Sequence, residues 1–366
     1  MEDFFINIAT IALAVLGAAA GTAYAQTNVT IYGVVDTGYV KKTGADTGMD
    51  ENVNSRIGFK GVEDLGGGLK ATFQLEKRFN VNDGTRNSKN DKDWEGAANV
   101  GLKGDDWGAI RLGRMNGIAT ENIRKFDPFY QYGVGGMWDS TQRGVRRDNM
   151  IRFDSLDYAG FSFQAAYELG RNMNDNSRDV DGLYVTDDSS RGGHSNGFDN
   201  DGYQLGINYK NGGFAATANY QMLADSNRST LWNVGLSYSW DTVKLEALYQ
   251  QTKDKAGYQY DDSKVAYDYG SIKEQQALLG VEWKVGPGRL NASVQWMDLD
   301  GNTYLKDVDG DAWKVAVGYT YNLSKRTSLY GIVSYADYDD KDIGEFIDGV
   351  AQDSTTGVQL GITHKF

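Results

Sequence analysis

Cysteine is absent from this 366-residue chain, and only two prolines and two histidines occur in it. The lack of cysteine excludes disulfides and thiolate metal sites. Pro128 sits in a long loop and Pro287 in a short turn. Neither interrupts a strand-like run, as a closed hydrogen-bonded ladder requires. His194 falls in a polar loop and His364 in the last strand-like run. Neither has a nucleophile and a carboxylate beside it in sequence, so a hydrolytic triad is not visible. Past the first 25 residues no apolar run is long enough to span a bilayer as a helix. Positive charge is also short: 37 Lys and Arg stand against 50 Asp and Glu, a net charge of -13. A chain this acidic is a poor nucleic-acid binder, and none is expected as a partner. Mean hydropathy is -0.53. Taken alone, that value reads as a soluble acidic protein, and the length as two domains. Both readings fail if water-facing and lipid-facing residues alternate and average out.

Residues 1–25 read as a secretory leader. Phe4 to Gly21 is an apolar, alanine-rich run, and Ala23-Tyr24-Ala25 forms a small-x-small cleavage signal before Gln26. Cleavage is expected between Ala25 and Gln26. Glu2 and Asp3 stand where such leaders carry basic residues. The competing reading is a retained transmembrane helix. Residues 26–366 are left as one domain.

From Val29 onward the chain repeats one unit: an alternating run, a short turn, an alternating run, a long polar loop. Ile57 and Phe59 face one way, Arg56 and Lys60 the other. Phe161, Phe163, Ala165 and Tyr167 share a face, as do Trp313, Val315, Val317, Tyr319 and Tyr321. A period of two with one apolar face means half-buried strands. Short connections such as Asn211-Gly212-Gly213 and Gly286-Pro287-Gly288 alternate with long ones near 41–54, 80–93, 115–145, 171–200, 254–272, 301–310 and 339–355. This alternation puts the long loops at one end. The fold class is therefore all-β: a transmembrane antiparallel β-barrel of about sixteen strands, with short periplasmic turns and long extracellular loops. That strand number leaves an aqueous lumen.

The loop from Met115 to Val145 differs from the others. It holds Phe126, Phe129, Tyr130, Tyr132, Met137 and Trp138 together with Glu121, Asp127 and Asp139. So many aromatics need a packing partner, and the carboxylates need water. Folding into a water-filled barrel meets both demands.

Tyr and Trp crowd the ends of the apolar faces, the pattern of an interfacial aromatic girdle. The outward faces of the first strands are lighter, at Gly33, Gly61, Ala71 and Ala98, and Gly361 joins them from the last strand. A smooth sector there implies packing against further copies in a homotrimer. The competing reading is that small residues only suit barrel curvature. The chain ends on Phe366, in a strand that must pair with the first to close the barrel.

Several stretches resemble the trimeric general porins of Gram-negative outer membranes, of the β-proteobacterial type. They are Tyr32-Gly33-Val34-Val35-Asp36, the segment Ser55 to Lys70, Gly101-Leu102-Lys103-Gly104 followed by Ala109 to Arg114, and the terminal Gly361 to Phe366. The resemblance implies an outer-membrane channel for passive diffusion of ions and small hydrophilic solutes. It implies further that the third loop folds into the lumen and that Phe366 is read by the barrel-assembly machinery. It also implies that acids on that loop face bases on the opposite wall.

Strand parity then nominates Arg56, Lys60, Arg78 and Arg111 for the basic wall. Arg114, where the strand leaves the wall, joins them, and Glu121, Asp127 and Asp139 are the loop acids. The wall arginines argue for anion preference, and the many aspartates of the outer loops for cations. The narrowest place has the lowest dielectric, so the throat is given more weight and a weak anion preference is expected. Asp307, Asp309 and Asp311 have the spacing of a calcium loop but lack its sixth-position glycine and twelfth-position acid. They read as a solvated loop that shares divalent cations with lipopolysaccharide phosphates. No other cofactor is expected. The alternatives are a substrate-specific channel with a saturable solute site, and a barrel enzyme whose catalytic residues meet only in the fold.

Overall fold

The computed structural model describes residues 27–366 apart from 88–91, 139–144, 171–177, 181–182, 186–200, 225–227, 256–257, 261–265, 269–270 and 303–306. The leader, its Ala25–Gln26 junction and the loop acid Asp139 lie outside the described residues.

Sixteen strands form the wall. They are β1 Thr27–Lys42, β2 Arg56–Gly66, β3 Leu69–Arg78, β4 Ala97–Gly104, β5 Gly108–Asn116, β6 Arg146–Asp154, β7 Phe161–Glu168 and β8 Gly202–Asn211. The remainder are β9 Phe214–Met222, β10 Thr230–Trp240, β11 Val243–Lys255, β12 Ser271–Val285, β13 Gly288–Gly301, β14 Gly310–Asn322, β15 Thr327–Tyr338 and β16 Ser354–Lys365. Each strand pairs antiparallel with its neighbours in sequence. β1 pairs with β2 through its first half and with β16 through its second, so the sheet closes on itself. The sequence reading of about sixteen strands is met, and closure leaves no open edge.

The faces are inverted relative to a water-soluble protein. Ile31 is 59% exposed, Leu205 59% and Leu279 62%, whereas Asp36, Gln204 and Asn233 are fully buried. Alternation explains this: within each strand one set of alternate residues meets lipid and the other meets the lumen and what fills it. Among the described residues no helix is long and apolar enough to cross a membrane, so the strands do the crossing. Tyr203, Tyr220, Trp232, Tyr238, Trp283, Trp296 and Trp313 supply an exposed aromatic rim on β8–β14.

Turns at one end are short. The β2–β3 turn runs through Gly66, Gly67 and Gly68, all at positive φ, a conformation that glycine adopts without steric cost. At the other end the β15–β16 loop itself forms a helix, Lys341–Asp348, here α2 after the short α1 (Ile118–Ile123). The Asp340 carboxylate caps its N-terminus by accepting from the Asp342 and Ile343 amides, and Gly349 ends it in the left-handed region.

One parity assignment is corrected. Gly361 does not share the outer face of Leu360 and Ile362. It faces inward, where a Cβ would collide with the Tyr330 hydroxyl. That hydroxyl donates to Asp36 Oδ1 at 2.8 Å. Asp36 also accepts from Thr363, and this network stitches the closing seam from inside. Gly33 keeps its outward assignment. It lies under the ring of Phe366, whose backbone exchanges two hydrogen bonds with it.

Candidate functional site

The loop joining β5 to β6 leaves the wall at a bulge between Gly113 and Met115, with Gly113 at φ 121°. A bulge there re-aims the chain. A short helix α1 (Ile118–Ile123) and a 3-10 turn (Arg124–Phe126) follow. The loop then runs around the inner wall rather than out into solvent.

Three features seat it. Its apolar side chains pack on inward apolar residues, strand after strand. Ile118 joins Met115 and Met150, then Ile123 and Phe126 join Leu248 and Leu278. Phe129 and Val134 join Tyr330 and Ile332, and Trp138 joins Met297, Tyr338 and Ile343. Inward glycines on alternate strands clear its path. A Cβ at Gly206 would lie 2.6 Å from Ile118, and one at Gly235 2.7 Å from Phe126. Gly280 sits against Pro128, Gly318 against Phe129 and Gly357 against Val134. Finally, wall amides satisfy its backbone. Gln204 accepts from the Ile118 amide at 2.7 Å, while Asn291 donates to the Pro128 carbonyl at 2.8 Å and Gln295 to the Gly135 carbonyl at 3.1 Å. Buried peptide groups without water need such partners. The sequence signal for this seat is the inward-parity Gly, Gln and Asn of β8–β16.

Opposite the seat, between the loop and β1–β5, lies a polar cavity of about 290 Å³. Arg56, Arg78 and Arg111 reach it from the wall, and Glu121, Arg124 and Tyr132 from the loop. Glu76 stands among the wall arginines. Its carboxylate accepts from Arg78 at 2.8 Å and from the Tyr32 hydroxyl at 3.1 Å, with Arg56 at 3.7 Å. On the far side Arg152, fully buried, donates to both oxygens of Glu121 at 3.0 and 3.1 Å and to Asp154 at 2.7 Å. Arg111 shares Asp154 at 2.6 Å. Four arginines and two glutamates thus line the cavity, an excess of positive charge.

Tyr132 registers that excess. Burial pushes its phenol up, yet Arg124, Arg78, Arg56 and Arg146 together bring it below its ordinary value of 10.0. Arg124 also lies 6.0 Å from the centre of its ring, within reach of a cation–π interaction.

The nominated residues therefore divide. Arg56, Arg78, Arg111 and Glu121 meet at the cavity. Lys60 is inward but lies further toward the turn end, across from Gln74 and 5.4 Å from the Tyr32 ring centre. Arg114 does not line the cavity. Its register partner Ala98 belongs to the face of Leu75 and Phe59, and its guanidinium is tied to Glu95 at 2.7 Å and Asp148 at 2.6 Å on the rim. Asp127 is not a water-facing acid either. It is wholly buried and accepts from the Phe129, Gln131 and Met137 amides at 2.9, 2.8 and 2.9 Å. It folds the loop on itself, and burial raises its carboxyl above the usual range despite those bonds. Asp139 lies outside the described residues.

Parity on the early strands could not find Arg124, Arg146 and Arg152. Arg152 was legible in principle, since it is the cross-strand partner of Arg111. Arg124 was not, because a loop has no period. Among the described residues no group of three Asp, Glu or His side chains is arranged to hold a metal ion, Asp307, Asp309 and Asp311 included.

The family model for Gram-negative porins matches residues 12–341. Outer membrane porin protein 32 of Delftia acidovorans is 33% identical, over 97% of this chain and 99% of its own length. An outer membrane porin protein of Bordetella pertussis is 31% identical, again over 97% and 99%. Among solved structures, an anion-selective porin from Comamonas acidovorans superimposes with a TM-score of 0.70 at 27% identity, covering 93% of this chain and 100% of that one.

Proposed function

The chain belongs to the Gram-negative porin family, and from that premise we propose that the cavity between the third loop and β1–β5 is the throat of its channel. The protein is a general porin of the outer membrane, a water-filled barrel for passive diffusion of ions and small hydrophilic solutes. Arg56, Arg78, Arg111 and Arg124 carry the selectivity of the throat. Glu76 and Glu121 hold the arginine side chains in place and divide the field.

The observation that carries this reading is the excess of arginine over carboxylate at the cavity, strong enough to lower a buried tyrosine. A positive potential in a narrow, poorly screened passage favours anions and orients polar solutes. The anion-selective porin from Comamonas acidovorans agrees in kind. Reversal potentials under a KCl gradient test the proposal. An anion sign that weakens on removal of Arg56 and Arg78 is expected, and a cation sign indifferent to them refutes it.

We propose a homotrimer packed on the sector from β16 to β5. Its outward residues include Ile31, Gly33, Phe59, Leu75, Val100 and Leu360, and its outward Tyr and Trp are few: Tyr39 and Trp94 near the loop end and Trp107 at the turn end. A monomeric mass for unheated, detergent-extracted protein would refute it. Residues 1–25 act as a leader cleaved before Gln26, and Phe366 serves as the assembly signal. The aspartates of the outer loops act as a diffuse surface for divalent ions shared with lipopolysaccharide, with no cofactor bound.

A further inference from the structure

Behind the third loop, on the side away from the throat, a second cavity of about 270 Å³ lies between the loop, β14–β16 and α2. Its lining includes Lys42, Lys314 and Asp348 as charged groups, and Val134, Trp138 and Ala336 among the apolar ones. The charges are unevenly satisfied. Asp348 is engaged by Lys42 at 3.3 Å, by the Trp138 indole N–H at 3.5 Å and by the Tyr338 hydroxyl. Lys314 is only 5% exposed. Among the described residues no carboxylate oxygen lies within 4.0 Å of its nitrogen. The ammonium donates to the Gly136 carbonyl at 2.6 Å and lies 4.5 Å from the centre of the Trp138 ring. An ammonium has three donors, so two are left for the cavity. A buried cation without a counter-ion is costly, and a hydrogen-bonded anion offsets that cost.

We propose that this cavity is a binding site for a small monocarboxylate of a few carbons, separate from the throat and independent of the throat reading. Its carboxylate accepts from Lys314 Nζ, while Lys42 holds Asp348. Its short tail lies against Val134, Trp138 and Ala336. The volume is just below the range of drug-sized pockets, which admits a ligand of this size and excludes nucleotides and oligosaccharides. Asp348 does not repel it strongly, because Lys42 already balances that charge. The lining as a whole holds two lysines against one aspartate.

Saturation-transfer NMR of sodium butyrate with folded protein in detergent micelles tests the site. Saturable binding is expected, with transfer to the butyrate methyl and methylene protons. Loss of one charged hydrogen bond in Lys314→Met should weaken it about tenfold or more. Ala336→Leu keeps every charge and fills the cavity, so it should weaken binding as well. The throat pair Arg56→Gln/Arg78→Gln should leave it unchanged. Stepwise bilayer conductance and heat-modifiable migration confirm folding of each variant. If Lys314→Met does not fold, Ala336→Leu decides alone. Absence of saturable binding overturns the proposal, as does binding that survives both cavity variants or is lost in the throat pair. Equal displacement by chloride also overturns it, since the cavity would then hold an adventitious ion only.

Discussion

Replacing Arg56 and Arg78 with glutamine removes two of the four arginines that line the throat cavity and leaves its two glutamates in place. The formal charge of the lining falls from an excess of two to balance. In water a unit charge about 7 Å from a passing ion contributes roughly 0.6 kcal/mol. Screening at ~0.1 M salt reduces that to about 0.3 kcal/mol. Chloride gains this amount and potassium loses it, so each arginine changes the anion-to-cation ratio about threefold, and the pair about eightfold. Under a tenfold KCl gradient, where full selectivity gives about 59 mV for a monovalent ion, the reversal potential should move by tens of millivolts toward cations. The assay is a planar bilayer holding wild type, the double variant and Lys325→Gln, a change in an exposed turn, as control. Since Glu76 loses both arginine partners, the conductance of the variant is measured as well, to show that the throat stays open. A cation-signed potential shared by wild type and variant would refute the reasoning. The acidic outer mouth, not the throat, would then govern selectivity.

Other consequences concern the loop and its charge. Tyr132 ionises below its ordinary value of 10.0 because four arginines surround it. As pH rises toward 10 the phenolate adds a negative charge earlier than an ordinary tyrosine would, so anion preference should fall below pH 10 in wild type but not in Tyr132→Phe, read by reversal potential. Gly235→Val places a side chain 2.7 Å or less from Phe126. The overpacking costs about 1–3 kcal/mol and should push the loop off its seat, seen as altered single-channel conductance with an intact barrel. Asp127→Ala strips an acceptor from three loop amides, at roughly 3 kcal/mol or more of local stability. Noisy conductance substates and protease cleavage between residues 127 and 137 should report it, and a quiet, protease-resistant channel would contradict it.

The barrel was legible in the sequence because its physics is local. Period two along Val29–Asp36 or Trp313–Tyr321 assigns each side chain to lipid or lumen without knowledge of any partner strand. Alternating connection lengths then order the strands, and Arg56, Lys60, Arg78 and Arg111 fall inward by parity alone. The aromatic loop announced that it must pack inside. Its internal arrangement was not legible, because a loop has no repeat from which direction follows. Asp127 reads as a throat acid by position, yet contacts ten residues away at Met137 turn it into a buried hinge. Arg114 stands where the strand leaves the wall, so period two does not settle its direction; the structure ties it to Glu95 and Asp148 instead of the cavity. Only the closed barrel brings Arg124 beside Arg56, or Lys314 beneath Trp138, across nearly 70 and over 170 residues of chain. The sequence by itself determined the fold, the membrane it suits and the sign of the wall. The tertiary structure decided which charges meet, because closure and loop seating set distances that no local period encodes.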